Sequence, residues 1–240
     1  MKEQHVRWYT PHLNRDFDML VFGHAGCPVI TFPTSLGRYY QNKDFGLVGA
    51  VAGLVDAGQV TIFCPDGIDE QSWYNKSIHP ADRVKTHMAY ERVILHDVVP
   101  RARQATGWQR VAFAGASFGG YHAVNISLRH PEIAAYCFSL SGSFDIKSFL
   151  DGYYDDNCYF NNPVDYLPNL QDARFLEAIR HMGIVLGTGD RDACRDRNLH
   201  LSHLLNTKGI PHFLDDRKWC GHDWNYWRDM LPGYLNLIHR

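Results

Sequence analysis

The pentapeptide Gly115-Ala116-Ser117-Phe118-Gly119 sets a hydroxyl between two glycines. A run of strand formers, Val111–Ala114, precedes it, and a helical pattern, Phe118–Arg129, follows. A serine hydroxyl is a poor nucleophile without a base to take its proton. A strand–turn–helix setting is the one in which a serine is held exposed on a tight turn. The glycines let strand and helix approach, and the helix N-terminus aims free N–H groups and positive partial charge at the hydroxyl. The Phe118 amide is then the first expected donor to an oxyanion.

The base must be chosen by position, because the chain has 14 histidines. His222 lies in "KWCGHDWNYW", after the last candidate strand and before the last helix, on the sheet edge that carries Ser117. Gly221 and Asp223 suit a tight loop and a helix start. His181, His200 and His203 fall inside helical patterns. His200 and His203 have a spacing that can hold a metal, but no third ligand is spaced to join them, so no metal site is expected. An imidazole base also needs a carboxylate to fix its tautomer. "GIVLGTGDRDAC" reads as a strand ending at Leu186, a Gly-Thr-Gly turn and then Asp190, with Asp192 as the rival. Asp190 is favoured as the nearer to the strand end. An EF-hand is excluded, since Arg195 stands where the loop needs glycine and Leu201 where it needs glutamate. The order Ser117, Asp190, His222 is the one expected on an α/β-hydrolase sheet. The second oxyanion donor should follow an earlier strand, Val29–Phe32, which points to the amide of Ser35 or Leu36.

Eight segments read as strands: His5–Tyr9, Asp18–Phe22, Val29–Pro33, Val60–Cys64, Arg110–Ala114, Ala135–Leu140, Gly183–Leu186 and His212–Asp215. "VITF", "VTIF" and "IVLG" are continuous apolar runs, the pattern of strands buried on both faces of a parallel sheet. The first two strands suggest a hairpin across "TPHLNRD". Helical patterns cover Asp44–Ala57, Ala81–Thr106, Phe118–Arg129, Asp172–His181, Arg195–Lys208 and Asn225–His239, the last broken or kinked at Pro232. Strand–helix alternation implies parallel crossovers. The fold class is therefore α/β: a mostly parallel sheet of about eight strands flanked by helices, in one domain over residues 1–240. An aromatic-rich excursion at about 143–169 leaves the sheet after Leu140, and long excursions of this kind usually serve function.

At 240 residues, 45% hydrophobic and with a formal net charge of -2, the chain suits a globular domain. The absence of a basic block argues against a nucleic-acid partner. Apolar runs are too short to span a bilayer, and the first residues show no apolar leader, so a cytoplasmic protein is expected. The six cysteines form no C-x-x-C pair and read as buried free thiols. The letters carry no signal of oligomeric state.

With these residues in view, the chain resembles the putative-esterase family of α/β-hydrolases, which includes esterase D, feruloyl esterases and mycolyltransferases. The likeness rests on "GASFGGYHAVNISLRHPE" (115–132), "LSGSFD" (140–145), "LGTGD" (186–190) and "GHDWNYWRDMLPGYL" (221–235). It implies Ser117 as nucleophile, Asp190 as acid and His222 as base. The loop "FPTSLG" (32–37) departs from the His-Gly type of many relatives, leaving the second donor open between Ser35 and Leu36. "DGIDEQSWYNKSIHPADR" (66–83) looks like a variant of a subset of small relatives.

The expectation is a serine carboxylesterase acting on small acyl or aryl esters through an acyl-enzyme, with no cofactor. Trp73, Tyr74, Tyr39 and Tyr154 are the candidates to line its entrance. The alternatives are an acyltransferase on the same residues and a non-catalytic binding protein on a hydrolase fold.

Overall fold

The computed structural model describes residues 1–238. Eight strands form one sheet: β1 (Glu3–Thr10), β2 (Arg15–Phe22), β3 (Cys27–Phe32), β4 (Val60–Pro65), β5 (Val111–Ala116), β6 (Ala134–Leu140), β7 (Gly183–Arg191) and β8 (Phe213–Gly221). Their spatial order is β1-β2-β4-β3-β5-β6-β7-β8. β1 and β2 make the expected antiparallel hairpin, with Thr10 opposite Arg15 and the turn closed at Asn14, φ 51°. β2 runs antiparallel to β4, and the pairs from β4 and β3 through β8 are parallel. β3, β4 and β5 are buried at every position, which is why their sequences are apolar without alternation.

Helix placement follows the alternation of side chains along these strands. Ile30, Phe32, Val111 and Phe113 face α4 (Pro80–Val93), α5 (Val99–Thr106) and α6 (Phe118–Arg129). Val29, Ala112, Ala114 and Phe138 face the opposite layer, α2 (Leu47–Ala50), α3 (Ala52–Asp56) and α11 (Trp224–Leu235). The remaining helices are α1 (Gln41–Asp44), α7 (Asp156–Phe160), α8 (Pro163–Asn169), α9 (Ala173–Arg180) and α10 (Arg195–Thr207). This is the α/β-hydrolase architecture that the strand order and alternation imply.

Two helical expectations change. The single helix expected over Asp44–Ala57 is three short ones, α1 to α3, because Gly46 takes a left-handed conformation at φ 76° and Val51 leaves helical geometry at φ -108°. The long helix expected to Thr106 does reach it, but through a π-turn at Ile94–Val98. Pro100, at the start of α5, has no N–H and crowds the preceding turn, and a wider turn relieves both. The helix α11 keeps Pro232 inside it and ends at Leu235; the expected end at His239 lies outside the described residues.

The 143–169 excursion is not a bare loop. It holds a 3₁₀ turn at Lys147–Phe149 and the helices α7 and α8. Its aliphatics Ile146 and Leu150 and the thiol of Cys158 pack with Trp73, Val84, Phe118 and Tyr121, which fastens it over the start of α6. All six cysteines are unpaired and buried. Among the described residues no helix is long and apolar enough to cross a membrane.

Phe113 is fully buried on the central strand β5, stacked on Phe32 with ring centroids 6.0 Å apart. Phe113→Ala should cost about 3–5 kcal/mol. Urea unfolding should show this as a lower midpoint at an unchanged slope.

Candidate active site

β5 ends at Ala116, α6 begins at Phe118, and Ser117 alone makes the turn. Its backbone sits at φ 56°, ψ -120°, a region costly for any residue with a Cβ. Hydrogen bonds hold it there: the Ser117 amide donates to Leu140 O at 2.8 Å, and the Gly120 amide donates to Ser117 O at 3.0 Å. The flanking glycines are steric requirements. A Cβ at Gly115 would lie 2.2 Å from the Gly119 carbonyl oxygen, and one at Gly119 would lie 2.5 Å from that of Pro33.

His222 follows β8 directly, and Asp223 caps α11 by accepting the Asn225 amide at 3.0 Å. The imidazole Nε2 lies 2.9 Å from Ser117 Oγ, and Nδ1 lies 2.8 Å from Asp192 Oδ1. Trp227 packs edge-on against the ring at 5.1 Å and anchors its own indole N–H on Ser141 Oγ at 2.9 Å. The Asp192 side chain is fully buried. It also accepts from the Cys194 amide at 2.8 Å and from Thr188 Oγ1 at 2.9 Å.

The residue expected to face His222, Asp190, does not. It is exposed, and its Oδ1 accepts the Trp219 amide at 2.7 Å. The cause is strand length. β7 continues through Gly187-Thr188-Gly189 to Arg191, so the first residue past the strand is Asp192.

Where the oxyanion donors are expected, Phe118 is the first residue of α6, so its amide has no intrahelical acceptor. The Leu36 amide donates to Asp69 Oδ2 at 3.2 Å, whereas that of Ser35 makes no hydrogen bond among the described residues. Tyr74 stands beside both, its hydroxyl donating to Ser35 Oγ at 2.8 Å and its ring edge-on to Phe118 at 5.9 Å. The other expected lining residues sit elsewhere. Trp73 is fully buried among Tyr121, His87 and Phe149, because its indole fills the space beneath the excursion. Tyr39 stacks on His5 at 5.3 Å. Tyr154 is exposed and donates to the Asp165 carboxylate within the excursion.

The sequence profile described as "Putative esterase" matches residues 13–238. The chain belongs to this family. It is a carboxylic ester hydrolase of the α/β-hydrolase fold. Solved structures similar to this esterase include a ferulic acid esterase, at 19% identity and TM-score 0.79, covering 99% of this chain and 97% of that one. An S-formylglutathione hydrolase from Agrobacterium tumefaciens aligns at 14% identity and TM-score 0.75, over 98% and 94%. MPT51 (FbpC1) of Mycobacterium tuberculosis aligns at 13% and 0.74, over 99% and 98%. A search of curated proteins found no match.

The charge state of the esterase's imidazole follows from its neighbours. Burial disfavours its cation, but Asp192 and the Cys194 thiol outweigh that and lift the His222 pKa from 6.5 to about 9. Burial likewise opposes ionisation of Asp192, yet hydrogen bonds from His222, Ser141 and the Cys194 amide hold its carboxyl below the usual range. A carboxylate only accepts, so once the ring is neutral its hydrogen stays on Nδ1 and Nε2 is left to accept from Ser117. The donor atoms of Asp192, Cys194 and His222 converge within 4.8 Å and could reach one metal ion, but Asp192 and His222 are already bonded to each other. His200 and His203 acquire no third ligand among the described residues.

Sequence reasoning also missed a buried pair behind the site. His122 Nε2 lies 3.0 Å from Asp69 Oδ1, with both side chains nearly inaccessible. Asp69 therefore ties α6, through His122, to the loop after β3, through Leu36. Its only sequence trace was the unusual 66–83 segment.

The folded pKa of His222 stands above the ordinary 6.5, so the ion pair stabilises the fold fully below 6.5. That stabilisation fades as pH rises through about 9. Titration followed by ¹H–¹⁵N NMR of the ring should give a His222 midpoint near 9. Asp192→Asn should return it toward 6.5, and Asp190→Asn should leave it in place.

Proposed function

We propose that Ser117, His222 and Asp192 act as a nucleophile–base–acid set that hydrolyses small acyl or aryl esters through an acyl-enzyme. The carrying observation is the continuous chain Ser117 Oγ, His222 Nε2, His222 Nδ1, Asp192 Oδ1, at 2.9 and 2.8 Å. Ser117 Oγ attacks the ester carbonyl carbon and gives its proton to Nε2. The resulting oxyanion sits between the amides of Phe118 and Ser35; Ser35 is preferred because the Leu36 amide is engaged by Asp69. The C–O bond to the alcohol breaks as Nε2 returns the proton to the leaving oxygen. Water then attacks the acyl-enzyme, Nε2 takes its proton, and Ser117 leaves with a proton as the acid is released. Every proton thus passes through Nε2, and Asp192 holds the ring and offsets its charge. Tyr74 is the lining residue this reading keeps; Trp73 serves packing, Tyr39 is stacked on His5 and Tyr154 is tied to Asp165.

Ser117→Ala should lower turnover of p-nitrophenyl acetate by about 10⁶ and Asp192→Asn by about 10⁴, each with unchanged circular dichroism. Activity needs the neutral imidazole, so kcat/KM should climb with pH along a limb centred near 9. A fluorophosphonate probe should label Ser117 stoichiometrically; folded protein that takes no label sinks the catalytic reading. Product analysis with added alcohol should give free acid, whereas new ester as the main product would mark an acyltransferase.

A further inference from the structure

The pairing of β7 with β8 is regular up to Gly189 opposite Arg217 and resumes at Arg191 opposite Gly221. Over that step β7 advances two residues and β8 four, so the segment Lys218–Cys220 bows out as a bulge. Bulges increase local twist, re-aim side chains and gather beside active sites. At the crown of this one is Trp219, with φ 60° and 68% of its surface exposed. A bulky aromatic residue in left-handed backbone at an exposed position has two costs: strain, and apolar area left in water. The bulge is not slack, since the Asp190 carboxylate accepts the Trp219 amide at 2.7 Å. The Arg191 guanidinium covers one indole face at 4.4 Å from the ring centroid. A cation on one face leaves the other open.

Position gives this arrangement its meaning. Trp219 lies three residues before His222, and Arg191 immediately precedes Asp192. We propose that the open face of Trp219, backed by Arg191 and pinned by Asp190, is a subsite for the alcohol half of the ester, selecting alcohols that carry a flat ring. The assignment to the alcohol half rests on the reading of His222 as the group that protonates the leaving oxygen. The leaving oxygen must lie within reach of Nε2, so the alcohol half sits on the side of His222, the residue that directly follows the strand carrying Trp219. A ring stacked on an indole gains about 0.5–1.5 kcal/mol beyond its area burial, which is up to about tenfold in kcat/KM. Asp190 is thereby a positioning residue for Trp219.

Benzyl acetate, ethyl acetate and ethyl benzoate separate the ring, the alcohol side and the acyl side at similar leaving-group chemistry. Trp219→Ala should lower kcat/KM for benzyl acetate about tenfold while leaving ethyl acetate and ethyl benzoate within about twofold. Equal losses on all three esters, or a loss confined to ethyl benzoate, would overturn the proposal. A second readout needs no turnover: benzyl alcohol added to Ser117→Ala protein should shift the Trp219 indole N–H resonance, and ethanol should not. If all three esters stay intact while that shift is present, the catalytic reading fails and the ring site stands. If turnover is normal and the shift is absent, the ring site fails and the catalytic reading stands. Trp219→Gly should melt at a higher temperature than Trp219→Ala, because glycine adopts the left-handed backbone freely. The reverse order would remove the strain on which the inference rests.

Discussion

The backbone contact between the start of α6 and the end of β3 governs the rest of the site. Gly119 lies so close to the Pro33 carbonyl that no side chain fits between them, and Gly115 is as close to Gly119. That contact fixes where the helix begins relative to the sheet. It thereby sets the conformation of Ser117, the direction of the Phe118 amide and the starting point of the loop that carries Ser35. A helix displaced outward by one methyl group would relax the serine and separate the two amides together. The strain at Ser117 persists because the surrounding sheet over-determines it, through Leu140 on β6 and the packed rings beneath α6.

A second layer of support is polar and buried. Asp66 and Asp69 follow β4, and both carboxylates are almost inaccessible. Buried charge is tolerable only when paired and hydrogen-bonded. Asp66 takes a two-point contact from Arg38 at 2.7 and 2.9 Å and the Tyr39 amide at 3.1 Å. Asp69 takes the Leu36 amide and faces His122. Every one of these donors except His122 belongs to the loop after β3. The two carboxylates therefore act as pegs for a loop that lacks the His-Gly sequence of many relatives, and they hold it in one arrangement. That accounts for the unusual 66–83 segment in terms of what it holds.

The sheet was legible because its signal is local. Runs such as "VITF" and "VTIF" read as strands buried on both faces, and each of the eight expected segments matches a strand, three of them running one residue beyond it. Ser117 and His222 were legible for the same reason, since each sits where an element visibly ends. Asp192 was not. The letters Gly187-Thr188-Gly189 look like a turn, yet they remain in the ladder because β8 supplies partners for them, with Thr188 opposite Asp216 and Gly189 opposite Arg217. Strand ends decided by a neighbour cannot be found in the strand's own residues. Trp73 failed for a related reason. Its neighbours in sequence are polar and turn-like, but the indole is covered by Phe149 and Tyr121, which come from distant segments. Tyr74, the next residue, points the other way and does reach the loop of Ser35.

The six free thiols give the fold a property unrelated to catalysis. Burial pushes Cys27, Cys64 and Cys137 up to about 12, and Cys158 and Cys220 up to about 11. At neutral pH these five are uncharged and out of reach of alkylating reagents, which react with the thiolate. Cys27 and Cys64 sit on β3 and β4, Cys137 on β6, Cys158 on α7 and Cys220 at the end of β8. The molecule thus carries a reporter on each main section of its sheet and one on the excursion above Ser117. The order in which these thiols become alkylated under mild denaturant is a map of which parts of the structure open first.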